Sequence, residues 1–71
     1  MRAEQPEWID SRLRQVGDRI RAARHNAGLS QEQLAERIDC DRRTVQRIEA
    51  GRTDVRLSRL LRIARVLRMT L

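Results

Sequence analysis

The sequence predicts an all-α fold, a compact bundle of four or five short helices, and three observations predict it. Apolar residues recur at spacings of three and four, and no stretch sustains the alternation of a strand. Backbone breakers are few, with one proline, at position 6, and three glycines, at 17, 28 and 51. Tyrosine and phenylalanine are absent, so aromatic strand packing has no material. At 71 residues the chain makes one small domain. Its single cysteine cannot form an intrachain disulfide, and one Cys with one His cannot complete a structural zinc site. Its core must come from helix packing or be shared with a partner.

The first helix is expected from Asp10 or Ser11 to Asn26, with Leu13, Val16, Ile20, Ala23 and Ala27 on its apolar stripe. Residues 1–11 are then an N-terminal arm and residues 12–71 the domain. Gly28 stands where a left-handed residue stops a helix. Ser30 opens the second helix, and Ser30-Gln31-Glu32-Gln33 has the form of a capping box. Leu34, Ala35 and Ile38 form its apolar face, and it ends near Ile38–Cys40. Asp41 is a good N-cap for a third helix, Arg42 to Ala50, closed by Gly51. A fourth begins at Asp54 or Arg56 and carries Leu57, Leu60, Leu61, Ala64 and Leu67 on one stripe, leaving Ile63 and Val66 off it as a small dimer contact.

Sixteen basic residues, all arginine, face ten acidic ones, giving a net charge of +6. A lysine-free chain is explained by a GC-rich genome, but the net charge is not. No apolar run exceeds three residues, against the roughly 18 that span a bilayer. The polar start, Met1 to Glu7, lacks the apolar core of a signal peptide, and a lone Cys40 suits a reducing compartment. A cytoplasmic protein is expected, associated with the nucleoid, because nucleic acid is the commonest polyanion there. No nucleophile–base pair, metal-ligand cluster or phosphate-cradling glycine loop is present, so neither an enzyme nor a cofactor is expected.

Between Gln31 and Ala50 two short helices are joined by a turn of about three residues. Ala35 is small enough for their close crossing, and apolar residues at 34, 38, 40, 45 and 48 face a common core. This is the patterning of a helix-turn-helix. At about 100° per residue, Val45 and Ile48 define the buried side of the third helix. Arg43, Arg47 and Ala50 then point away from it, with Gln46 and Arg42 beside them. Arginine forks onto guanine O6 and N7, and glutamine pairs with adenine N6 and N7. Base readout by Arg42, Arg43, Gln46 and Arg47 is the expectation; a solvated basic face touching phosphate alone is the alternative.

The chain resembles the Cro and phage-repressor (XRE-like) helix-turn-helix family over roughly residues 12–68. The resemblance is carried by Val16-Gly17-Asp18-Arg19-Ile20-Arg21, Gly28-Leu29-Ser30-Gln31-Glu32-Gln33-Leu34-Ala35, Thr44-Val45-Gln46-Arg47-Ile48-Glu49-Ala50-Gly51 and Leu60-Leu61-Arg62-Ile63-Ala64. It implies a lambda-repressor-like bundle and base contacts near the start and middle of the third helix. It also implies that Gln31, already favoured for phosphate by its place at a helix start, grips the DNA backbone. Arg52 and Thr53 then lie against the phosphates, and Arg56, at the start of the fourth helix, approaches them too. The family pairs the positions of Arg24 and Glu49 as a partly buried ion pair, which makes them structural.

Departures from the family are four. Asp39 stands for a usual turn glycine, and Asp tolerates the left-handed conformation better than most residues. Val55 replaces a frequent proline, and Arg68 a frequent glycine. The family's fifth helix is expected to be missing, which leaves residues 1–15, with Trp8, Ile9 and Leu13, to cover the open surface. Trp8 is accordingly expected in the core or at a dimer contact, Cys40 as a small buried hydrophobe and His25 as a solvated residue. The run Arg56, Arg59, Arg62, Arg65, Arg68 drifts by about 60° per step and so wraps around its helix.

The reading is a sequence-specific DNA-binding regulator of transcription, a repressor, that binds a palindromic double-stranded operator as a homodimer. Its half-sites lie about one helical turn apart. Two alternatives belong to other classes. One is a protein-interaction module on this scaffold, such as an antitoxin or adaptor docking a protein partner. The other is a nonspecific basic peptide, against which the caps at Ser30 and Asp41 argue.

Overall fold

The computed structural model describes residues 4–70, so Met1–Ala3 of the expected arm, and Leu71, lie outside the described residues. Four helices follow in order: α1 (Glu7–Asn26), α2 (Gln31–Arg37), α3 (Arg42–Glu49) and α4 (Leu57–Leu67). No strand occurs among the described residues. The fold is the all-α, lambda-repressor-like bundle.

Helix α1 starts ahead of the expected Asp10 or Ser11. Pro6 occupies its N-cap, and the Pro6 carbonyl accepts from the Ile9 N–H at 3.0 Å. Glu7 and Asp10 then lie in the first turn, where negative charge opposes the helix dipole. The sequence reading left Pro6 inside the arm, yet its fixed φ suits a helix entrance. Residues 7–11, assigned above to an arm, are therefore helical.

Each helix ends in the same backbone device. The first or second residue after the helix turns left-handed, and two crossed N–H···O bonds close the last turn. After α1 the Leu29 N–H reaches Arg24 C=O at 3.1 Å and Gly28 N–H reaches His25 C=O at 2.9 Å. Cys40 to Ala35, Arg52 to Arg47 and Met69 to Ala64 repeat the longer bond after α2, α3 and α4. The left-handed residues are Gly28, Asp39, Gly51 and Arg68, with φ of 71°, 60°, 69° and 57°. Asp39 does adopt the conformation expected of its family position, and so does Arg68. A non-glycine there costs on the order of 1 kcal/mol.

The core draws on all four helices. Ile20 of α1, Leu34 of α2, Ile38 of the following turn, Val45 of α3 and Ile63 of α4 are its fully buried side chains, with Leu29, Ala35, Ile48 and Leu67 around them. Helix α3 packs on α1 and α2, and so does α4. The stripe expected on α4 is rotated by about half of the 100° residue step. Ile63, at 1% exposure, is core and not a dimer contact, whereas Leu57 and Leu61 are 67% and 51% exposed. Apolar residues cover so wide an arc of α4 that periodicity alone does not choose which edge faces inward. Val66 is half-buried against the core.

Trp8 is 67% exposed on the first turns of α1, so it is not a core plug, while Ile9 and Leu13 are half-buried. Cys40 is half-buried against the core and its thiol donates to the Asp41 carbonyl at 3.5 Å. His25 is exposed, as its position opposite the α1 stripe indicated.

One contact sets how closely α1 approaches α3. A Cβ at Gly17 would lie 2.5 Å from the Glu49 carbonyl oxygen and 2.6 Å from that of Ile48. Backbone carbonyls at a helix end cannot yield as a side-chain tip can. Gly17→Ala is expected to destabilise the fold by about 1–3 kcal/mol or more, despite alanine's higher helix propensity. A thermal melt that matches the parent chain would show that the two helices slide apart without loss.

Candidate nucleic-acid interface

Two caps aim the helices of the motif. Ser30 Oγ accepts from the Gln33 N–H at 3.0 Å while Gln33 Oε1 accepts from the Ser30 N–H at 2.8 Å, a complete capping box on α2. At the head of α3 one carboxylate oxygen of Asp41 accepts both the Thr44 N–H, at 2.8 Å, and the Thr44 hydroxyl, at 2.6 Å. These bonds hold the Asp41 carboxyl below its usual range, helped by the nearby positive charges of Arg43 and Arg47.

Helix α3 buries Val45, Ile48 and Glu49 and exposes Arg42, Arg43, Gln46 and Arg47. The four residues expected to meet bases are thus together on the outer side of one helix. Arg52 and Arg56 are exposed on the loop between α3 and α4, and Thr53, half-buried there, donates its hydroxyl to the Asp54 carbonyl at 3.3 Å. Burial pushes the Cys40 thiol up, against a smaller opposing pull from Arg59, so at neutral pH it is a protonated packing group.

Behind this surface lies the Arg24–Glu49 pair, with both residues 6% exposed. Arg24 Nε donates to Glu49 Oε2 at 2.6 Å and a terminal guanidinium nitrogen to Oε1 at 3.0 Å. The other terminal nitrogen donates to the Leu29 carbonyl at 2.9 Å. Gln31 completes the set, its amide donating to Glu49 Oε1 at 3.1 Å. Among the described residues no buried side-chain nitrogen or oxygen is left without a partner. Sequence reasoning paired Arg24 with Glu49 through the family resemblance but treated Gln31 as a separate surface residue. Nothing in the spacing of Gln31 and Glu49, on different helices, announces their bond.

Two further arginines went unassigned. Arg59, half-buried, lines a pocket of about 230 Å³ beside α3 with Thr44, Arg47, Ile48, Thr53, Asp54 and Val55. Arg14 lines a cleft at the C-terminal end of α3. Both were hidden among a chain full of arginines. No helix is long and apolar enough to cross a membrane. Among the described residues no three His, Cys, Asp or Glu side chains gather as a metal site requires.

A capped, arginine-faced helix held against its predecessor by a short turn defines a helix-turn-helix module of the DNA-binding kind. The profile of the family described as a helix-turn-helix domain matches residues 15–71, and the chain belongs to that family. Among solved structures it is similar to the restriction-modification controller protein C.AhdI from Aeromonas hydrophila, at 36% sequence identity and a TM-score of 0.80, covering 86% of this chain and 88% of that one. A comparison with curated protein sequences finds no match. The protein is a DNA-binding regulator of transcription and not an enzyme.

Two outcomes test the supports of this surface. Glu49→Ala strands a buried guanidinium and removes the partner of Gln31, so it is expected to cost about 3–5 kcal/mol in thermal or urea unfolding. An unchanged melting temperature would remove the pair from its structural role. The depressed Asp41 carboxyl contributes stability above about pH 4, where the unfolded chain has ionised, and loses it as pH falls through the lower folded value. Asp41→Asn keeps an acceptor but not the charge. Its deficit in melting temperature is expected at neutral pH and should narrow in acid; a constant gap would mean that the charge contributes nothing.

Proposed function

We propose that this chain is a sequence-specific repressor that binds a two-fold operator as a homodimer and lays α3 along the major groove. The observation that carries the reading is the outer side of α3, where Arg42, Arg43, Gln46 and Arg47 are all exposed while the opposite side is buried. Arginine forks suit guanine and the Gln46 amide suits adenine. Gln31, Arg52, Thr53 and Arg56 serve as backbone contacts. The Gln31 amide gives one N–H to Glu49 and keeps the other for a phosphate, beside the free backbone N–H groups that begin α2. Residues 12–71 act as the DNA-binding unit, working in the cytoplasm at the nucleoid. The likeness to a restriction-modification controller over most of both chains supports a role in regulating such a locus.

The second copy meets this one through α4. Leu57 and Leu61, a turn apart, expose apolar surface on one side of α4 that a second copy would cover. That same surface is where a different protein would dock if the module served interaction instead of base reading.

Selection of bound sequences from a random duplex pool, at fixed near-physiological salt, separates these outcomes. An enriched palindrome with half-sites about one turn apart supports the dimeric repressor. A single enriched half-site removes the dimer, and binding without enrichment removes base readout. On the preferred site, Arg47→Ala is expected to cost about 1–3 kcal/mol of affinity and to relax preference at one or two base positions. Equal loss on scrambled DNA would reduce Arg47 to a phosphate contact.

A further inference from the structure

The cleft at the C-terminal end of α3 holds Arg52, already read as a backbone contact, beside Arg14, which has no role assigned so far. It has a volume of about 580 Å³ and is lined by Arg14 of α1 with Ala50, Gly51 and Arg52 of the turn after α3. No acidic side chain lines it. Neither arginine has a side-chain hydrogen bond or ion pair among the described residues, and both are exposed. Two arginines thus line one concavity from two segments far apart in sequence.

Three features prepare the site for an anion. A Cβ at Gly51 would lie 2.6 Å from Arg14 Cα and 2.8 Å from its Cγ, so the bare glycine lets the stem of Arg14 rest directly on the turn that carries Arg52. Carbonyls at the end of α3 would repel an anion, and three of them are taken up. Gln46, Arg47 and Ile48 accept from the N–H groups of Ala50, Arg52 and Gly51, each at 3.0 Å. Ala50 also falls on the same arc of α3 as Arg43 and Arg47, so the cleft continues the outer side of that helix.

We infer that this cleft takes a phosphodiester of the DNA backbone, gripped jointly by Arg14 and Arg52. Planar guanidinium forks match phosphate oxygens, and two of them on one phosphate clamp the protein in register without reading sequence. The inference rests on the DNA-facing reading of α3. It adds α1 to the binding surface, which the sequence reading confined to residues 31–56.

The test is the dependence of DNA affinity on salt for the full chain and for Arg14→Gln, Arg52→Gln and the double variant. Each neutralised phosphate contributes about 0.9 to the slope of log K against log salt. The double variant is expected to lose about 0.9, each single variant less, and the preferred sequence to stay the same in all three. Wild-type slope and affinity in Arg14→Gln would overturn the inference, and a loss near 1.8 in the double variant would mean two separate phosphates and overturn the clamp. Inorganic phosphate titrated without DNA distinguishes a free-anion site. Saturable NMR shifts at residues 14, 51 and 52, with unchanged DNA slopes, would also overturn it. If no preferred DNA sequence exists, the α3 reading fails, but the same slopes on arbitrary duplex still decide the clamp.

Discussion

A buried arginine that bonds three acceptor oxygens at once ties this small protein together. Arg24 leaves α1, meets both oxygens of Glu49 at the end of α3, and caps the Leu29 carbonyl in the turn that leads into α2. The start of α2 is drawn into the same network because Gln31 shares Glu49 Oε1. Three segments are thus oriented by directional, charge-assisted bonds. Burying an ion pair is not in itself a source of stability, since desolvation offsets the attraction. Its effect here is geometric: with every buried polar atom in the network satisfied, α3 has one permitted placement against α1.

The helix ends are governed by a second economy. A chain with helices as short as seven residues cannot rely on helix propensity, so its caps decide where each helix begins and stops. Four left-handed residues make four stops, and two of them are not glycine. Asp39 and Arg68 accept backbone strain that Gly28 and Gly51 avoid. At Gly51 a side chain would strike α1, whereas Gly28 has open space around it and needs glycine for its φ alone.

Much of this was legible in the sequence, and the legible part is local. Ser30, Gln33 and Asp41 announce their caps by residue type and spacing, and Gly28 and Gly51 announce their stops. The outward side of α3 follows from its periodicity because Val45 and Ile48 leave a narrow apolar arc. The arc of α4 is wide, and there the phase was read wrongly, with Leu61 placed inside and Ile63 outside. Residues that act across helices were the hardest to read. Gly17 looks like a tolerated flaw in a helix until the carbonyls of α3 are set against it, and Gln31 looks like surface until Glu49 is beside it. The start of α1 was obscured by a different conflict, because Pro6 serves as readily for a helix entrance as for a loop.

The outer side of α3 has a consequence for how such a protein changes over generations. Arg42, Arg43, Gln46 and Arg47 hold no side-chain hydrogen bond among the described residues, while the inner side of the same helix is locked to α1 and α2. The helix therefore behaves as a fixed rack with interchangeable pegs. Exchanging a peg leaves the buried packing as it was, and reaches the Asp41 cap only through the charges of Arg43 and Arg47, so variants at these four positions can be sampled without passing through unfolded intermediates. Re-aiming the rack itself would require simultaneous changes at Gly17, Arg24 and Glu49, a step that single substitutions do not reach.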